Sequence, residues 1–180
     1  MREREKTRAL AAYHVVGARL GGQRDFAALV LLFDSRLRAH ARRLCDDSES
    51  ARDIVQESWI AIARGLHGLR DDHAFLPWAL RIVTRTAARD LGRKRRRRAA
   101  LQGFSETLDE TAIDAPDLTA AIATLPAPQR AALALFYLEE MSVAEVAVAL
   151  DIPPGTVKTR LMHARAKLRA YLNGESNGQT

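Results

Sequence analysis

Cysteine is almost missing from this chain. Cys45 stands alone, so no internal disulfide can form, and its place after Leu44 suits a small packed residue better than a redox centre. Long apolar runs are missing too, and none approaches the ~20 residues of a membrane-spanning helix. The nearest thing to a signal-peptide core, residues 9–18, is interrupted by Tyr13 and His14 and preceded by Glu3 and Glu5. A cytoplasmic protein is expected. No segment alternates apolar and polar residues at period two with β-branched side chains, which excludes a sheet from the expected fold. His14, His40, His67, His73 and His163 show no metal-ligand spacing with other donors. Neither a metal nor a cofactor is expected.

Charge of one sign is locally absent in two places. There is no acid between residues 152 and 172, where five cations fall, and no lysine or arginine between residues 99 and 129, where five acids fall. The net charge of +6 therefore comes in blocks, and basic blocks imply an anionic partner.

The acid-free block lies in residues 142–172, SVAEVAVALDIPPGTVKTRLMHARAKLRAYL. Ser142 and Glu145 have the spacing of a capping box, in which the hydroxyl and carboxylate satisfy orphan backbone N–H groups reciprocally. Pro153, Pro154 and Gly155 close a turn between Leu150 and Ile152 on one side and a new helix on the other. On that second helix Val157, Leu161, Ala164, Leu168 and Leu172 share one face at about 100° per residue. The opposite face carries Thr159, Met162, His163 and Ala166, flanked by Lys158, Arg165 and Arg169 and by Arg160 and Lys167. Mid-sized side chains bordered by long cations are the layout of a helix that reads base edges in the major groove while neutralising phosphates. A solvated amphipathic helix would also be basic on its outer face; the absence of acids and the helix-turn-helix pattern favour DNA.

Upstream, residues 1–24 end at Gly21-Gly22 and read as a short extra helix or a frayed tail. Phe26, Val30, Phe33, Leu37 and Leu44, with Leu29 and Leu32 beside them, mark an apolar helix from Asp25. Asp46, Asp47 and Ser48 are N-cap material for a second helix over residues 49–66, with Ala51, Val55, Trp59, Ile62 and Leu66 inward. Its other face carries Asp53, Gln56 and Glu57, either a solvated surface or a docking face for a protein. After a loop at 65–77, a third helix to about Leu91 turns Leu76, Leu80, Val83, Ala87 and Leu91 inward. Arg81, Arg85 and Arg89 recur at i, i+4, i+8 near Trp78, a pairing that suits unstacked bases, although a Trp78 buried against the preceding helix fits equally well. Six consecutive cations, residues 93–98, follow.

The expected fold is all-α. It comprises an N-terminal extension (1–24), a helical domain (25–98), an acidic linker (99–117), a second small helical domain (118–173) containing the helix-turn-helix, and a polar tail (174–180). In the second domain Leu118, Ile122 and Leu125 precede a short helix with Ala131, Leu135 and Leu138 inward.

With these pieces in order, the sequence resembles a bacterial sigma factor of the extracytoplasmic-function type. ESARDIVQESWIAI (49–62) is similar to the segment by which such factors grip the clamp helices of RNA polymerase. FLPWALRIVTRTAARDLGRKRRR (75–97) is similar to the segment that opens and reads the promoter −10 element. Residues 125–169, LPAPQRAALALFYLEEMSVAEVAVALDIPPGTVKTRLMHARAKLR, are similar to the −35 reader.

The resemblance implies that Asp53, Ile54, Gln56 and Glu57 contact core polymerase. It places a flipped −10 base at the loop of Asp71, Asp72, His73 and Phe75, near Trp78, with Arg81, Arg85, Arg89, Arg93 and Lys94 against phosphates. Lys158, Thr159, Arg160, Met162, His163, Arg165 and Lys167 would face the −35 element. Two positions depart from the family pattern: Arg85 or Thr86 stands where many members have asparagine, and His163 where they have arginine, which lacks histidine's pH sensitivity. An anti-sigma factor is a possible partner, and no catalytic residues are implied. Two other functions compete. A helix-turn-helix regulator would act without core polymerase. A nuclease would use Asp53 with Glu57, or Asp71, Asp72 and His73, as metal ligands, but no third ligand or phosphate loop accompanies either set.

Overall fold

The computed structural model describes residues 2–45, 47–101, 121–122 and 124–172, which are helical with short connections and contain no strand. Most of the expected linker, Leu118 and the tail lie outside the described residues. The chain divides into two compact units, residues 1–90 with 148–151 and residues 91–147 with 152–180.

The first unit opens with α1 (Arg2–Arg19), α2 (Gln23–Leu44) and α3 (Ser48–Gly65). Two 3₁₀ turns, Leu66–Gly68 and Asp72–Ala74, lead into α4 (Phe75–Leu101). Residues 2–19 are thus a full helix. Ala11 and Val15, one turn apart, are buried, and α1 packs along α2. The α1–α2 turn is a Schellman motif: Gly22 N–H donates to Gly17 O (3.0 Å), Gly21 N–H to Ala18 O (3.1 Å), and Gly21 adopts φ +89°. The Asp25 carboxylate fills the turn, 2.8 Å from His14 Nδ1. A Cβ at Gly17 would lie 2.4 Å from its Cγ, so any larger residue there would displace the carboxylate.

The stripe of α2 is Leu29, Phe33, Leu37, His40 and Ala41, rotated from the one expected. Phe26, Val30 and Leu32 are half-buried. The periodicity omitted a polar member, since His40 is fully buried, and its Nε2 lies 2.9 Å from Thr84 Oγ1. The Thr84 Oγ1–H faces the carbonyls of Ala149 (2.7 Å) and Leu80 (3.0 Å), so its lone pair is left to accept from His40 Nε2–H. Burial, aided by the neighbouring Arg43 charge, pushes the His40 pKa down to about 3, and the ring stays neutral. Cys45, at the C-cap of α2, is half-buried.

On α3, Asp47 is the N-cap, its carboxylate accepting from Ser50 N–H at 2.6 Å. Ala51, Val55 and Ile62 point inward as expected, joined by Ile54 and Ser58. Trp59 sits at the margin, stacked edge-on with Phe26 at 5.9 Å while its Nε1–H donates to Asp34 Oδ1 at 3.0 Å. On α4, Leu80, Val83 and Ala87 are buried and Leu76 and Leu91 are half-buried. The helix continues to Leu101, ten residues past its expected end at Leu91.

From residue 124 on, the helices among the described residues are α5 (Ala127–Tyr137), α6 (Val143–Leu150) and α7 (Pro154–Leu172). α5 buries Ala131, Ala132, Leu133, Ala134 and Leu135, small residues that let α7 approach closely. Leu138, expected inside, is the C-cap and 66% exposed, because the helix ends before its turn can complete.

Candidate nucleic-acid and polymerase interfaces

The entry into α7 is built by local chemistry. The capping box forms as expected: Ser142 N–H donates to Glu145 Oε2 (2.8 Å) and Glu145 N–H to Ser142 Oγ (3.2 Å). α6 ends in a Schellman motif in which Ile152 N–H reaches Ala147 O (3.1 Å) and Asp151 N–H reaches Val148 O (3.2 Å). Asp151 holds φ +55° at the left-handed position that glycine usually fills. The turn expected from Pro153, Pro154 and Gly155 is thus begun by an aspartate. Val157, Leu161 and Ala164 are buried and Leu168 is half-buried.

Lys158, Thr159, Met162, His163, Arg165 and Lys167 are exposed, and Arg160 is half-exposed. Two members of this set are already tethered. Thr159 Oγ1 donates to Gly155 O at 3.1 Å, one turn back. Arg165 Nε donates to the Tyr137 hydroxyl at 2.9 Å, with its guanidinium over the Phe136 and Tyr137 rings at 5.8 and 5.6 Å. This aromatic shelf on α5 sets the lateral position of Arg165 and was not legible in α7 itself. Met162, 57% exposed, stands at the centre of the face.

The second cluster surrounds residues 66–74 in the first unit. Leu66 and Leu69 bury their side chains, while Arg70, Asp71 and His73 are exposed. Of the residues expected to hold a base, only His73 presents its side chain outward without an assigned structural task. Asp71 caps the second 3₁₀ turn, accepting from His73 N–H at 3.0 Å. Asp72 pairs with Arg19 NH1 at 2.7 Å. Phe75 is a correction: it is 0% exposed and packs on Phe33 (5.2 Å) and Trp78 (6.1 Å), because an aromatic ring at the helix start lies over the core. Trp78 is half-buried against the end of α3, where a Cβ on Gly65 would lie 3.3 Å from its ring. An open groove of about 850 Å³ runs between this loop and α1, walled by Tyr13, Val16 and Leu20 on one side and Arg70, Asp71 and His73 on the other. No short-range signal in residues 1–24 announces that α1 lines this groove. Along α4, Arg85, Arg89 and Arg93 are exposed and Arg81 and Lys94 half-exposed.

The third surface lies on α3. Asp53 and Gln56 are exposed and Glu57 is half-exposed, 3.5 Å from Arg89 NH2. Ile54 is the other correction: at 2% exposure it belongs to the core, since it shares a face with Val55 and Ser58. Among the described residues no group of histidine, cysteine and acidic side chains could hold a metal ion. Among them also, no helix is long and apolar enough to cross a membrane.

Residues 29–97 match the family model described as Sigma-70 region 2, and residues 116–168 the one described as Sigma-70, region 4. The ECF RNA polymerase sigma factor SigM of Mycobacterium tuberculosis is 34% identical over 177 residues, spanning 95% of this chain and 88% of that protein. The chain belongs to the ECF RNA polymerase sigma factors. The RNA polymerase sigma-H factor of Pseudomonas aeruginosa is similar at 29% identity over 163 residues, covering 81% of this sigma factor and 84% of the relative. Two solved structures share the architecture at 26% identity. CnrH in complex with the cytosolic domain of CnrY has a TM-score of 0.66 and covers 93% of this chain and 99% of the other. The sigma factor RpoE in complex with the anti-sigma factor NepR from Bartonella quintana has a TM-score of 0.64, with 83% and 97% covered. As a sigma factor the protein binds core RNA polymerase and directs promoter-specific transcription initiation, within a class of non-enzymatic transcription factors.

Proposed function

We propose that its three surfaces divide that work. The α3 face of Asp53, Gln56 and Glu57 docks on core polymerase. Residues 66–74, with His73 as the outward side chain and Arg70 beside it, receive an unstacked base of the −10 element. Arg81, Arg85, Arg89, Arg93 and Lys94 of α4 run along its phosphates. Lys158, Thr159, Met162 and His163 of α7 approach the −35 bases, while Arg160, Arg165 and Lys167 contact the backbone. The domain limits are 25–98 and 118–173, with α1 added to the first, and the acidic stretch 99–117 follows a basic channel of the polymerase. The protein acts by binding, without a catalytic step, in the cytoplasm. Because two similar proteins were solved with binding partners, one of them a sigma factor with its anti-sigma factor, an antagonist covering the acidic and basic faces belongs to the same proposal.

The observation that carries this division is the outer face of α7, where exposed mid-sized side chains are bordered by cations with no acid on the helix. Run-off transcription with core polymerase on genomic fragments tests it and supplies the promoter. A promoter-specific transcript is expected. A protein that binds DNA but yields no such transcript with core polymerase would return the chain to the stand-alone regulator.

A further inference from the structure

We propose that Arg19, in the last turn of α1, is a positioning residue that fixes residues 66–74 and so sets base selectivity at the −10 element. The inference rests on the −10 reading of that loop. Arg19 spends its whole fork on the loop: Nε donates to Leu66 O at 3.1 Å, NH2 donates to Leu69 O, and NH1 lies 2.7 Å from Asp72 Oδ1. Two carbonyls are held by directed hydrogen bonds from one planar group, and Asp72, within a span of seven residues, by its charge. Both side chains of the ion pair are about a quarter exposed, 23% for Arg19 and 26% for Asp72, so the contact is partly withdrawn from water.

The base of the clamp is itself rigid. Arg19 lies two residues before Gly21, inside the Schellman turn, and the His14–Asp25 pair locks α1 to α2 just behind it. Val15, one turn back, is 0% exposed. The loop, by contrast, consists of two 3₁₀ turns joined by residues 69–71, with only short-range bonds of its own: Leu69 N–H to Leu66 O, Ala74 N–H to Asp71 O and the Asp71 cap. Arg19 ties both turns to α1, along which they also pack.

What the clamp holds in place is the width of the groove. Its far wall, Arg70 and His73, is loop; its near wall, Tyr13, 70% exposed, is α1. A base entering here meets an aromatic face from α1 and polar groups from the loop, and their separation is set by Arg19. Selectivity among bases depends on donors being held where only one base edge fits, which is lost if the loop can drift by about an ångström.

Reconstituted holoenzyme is assayed by run-off transcription on promoters carrying each base at every −10 and −35 position. Core-polymerase affinity and tryptophan-fluorescence melting are measured for the same proteins. Arg19→Ala is expected to reduce discrimination at one −10 position about tenfold, with −35 preference and core affinity unchanged. Arg19→Lys should recover part of it, because an ammonium can pair with Asp72 but cannot also span both carbonyls. Asp72→Asn, nearly isosteric, should lose a smaller part, and it carries the test if Arg19→Ala does not fold. Wild-type −10 selectivity in Arg19→Ala and Asp72→Asn overturns the clamp. So does a loss that is equal on every promoter and tracks the melting temperature, the signature of a merely structural residue. If Arg70→Ala and His73→Ala also leave −10 selectivity untouched, the −10 reading of the loop fails, and the clamp with it; if those two shift it and Arg19→Ala does not, only the clamp fails.

Discussion

The two DNA-facing sites of this sigma factor are built in opposite ways. The α7 face is one helix, whose exposed residues, Arg165 on its α5 shelf apart, take their places from a capping box, a Schellman turn and a buried stripe, all within 142–172. The loop at 66–74 takes its shape from elsewhere: Arg19 lies 47 residues before Leu66 in sequence, and Phe75 beneath it rests on Phe33 of α2. A surface written along one helix tolerates change in distant side chains. An assembled one transmits it.

Four changes set the two kinds of surface against each other. The largest effect is expected for Phe75→Ala, which opens a cavity under the loop and should destabilise the first unit by about 3–5 kcal/mol. Trp59 and Trp78, the only two tryptophans, both lie in that unit, so fluorescence-detected urea unfolding reads it selectively. An effect under about 1 kcal/mol would mean the ring is not supporting the loop.

Next comes pH. The folded His40 pKa is pushed down to about 3, so as pH falls below the ordinary value of 6.5 the unfolded chain takes the proton first. Stability that is fully present above pH 6.5 is therefore lost progressively toward pH 3, at up to about 1.4 kcal/mol per pH unit. Tryptophan-detected melting of His40→Gln, which keeps an amide near Thr84 but cannot titrate, should show a flatter profile over that window. An identical profile would place the acid sensitivity elsewhere.

On α7, alanine at Thr159, Met162 or His163 should change which −35 base is preferred, by about 1–3 kcal/mol per position. Lys167→Ala should instead weaken binding to all sequences and flatten the salt dependence by about one unit. Fluorescence anisotropy with duplexes over a salt series separates the two, and equal, sequence-independent losses from all four would reject the face assignment. The smallest change is Ser142→Ala. Losing the cap should cost about 1 kcal/mol of stability in the helix-turn-helix, read by amide exchange in α6, with −10 selectivity untouched.

The same contrast governs what could be read without coordinates. Capping signals act over three or four residues, so the starts of α3 and α6 and the inward stripe of α7 were legible, and all three formed. Ile54 and Phe75 were placed at interfaces by family position, although their apolar side chains already pointed to the core where they lie. His40 was invisible because a periodicity count skips polar residues, and its partner Thr84 is 44 positions away. Ala11 and Val15, one turn apart and followed by Gly21-Gly22, were the signal that α1 is a packed helix. Nothing short-range announces that Arg19 reaches Leu66, Leu69 and Asp72.

The most direct test of the division into two separate readers is run-off transcription by holoenzyme carrying His73→Ala or Met162→Ala, on a promoter library varied at both elements. His73→Ala is expected to change base preference only at −10 and Met162→Ala only at −35. Shifts at both elements from either variant, or a fall in all transcripts with both preferences intact, would contradict it.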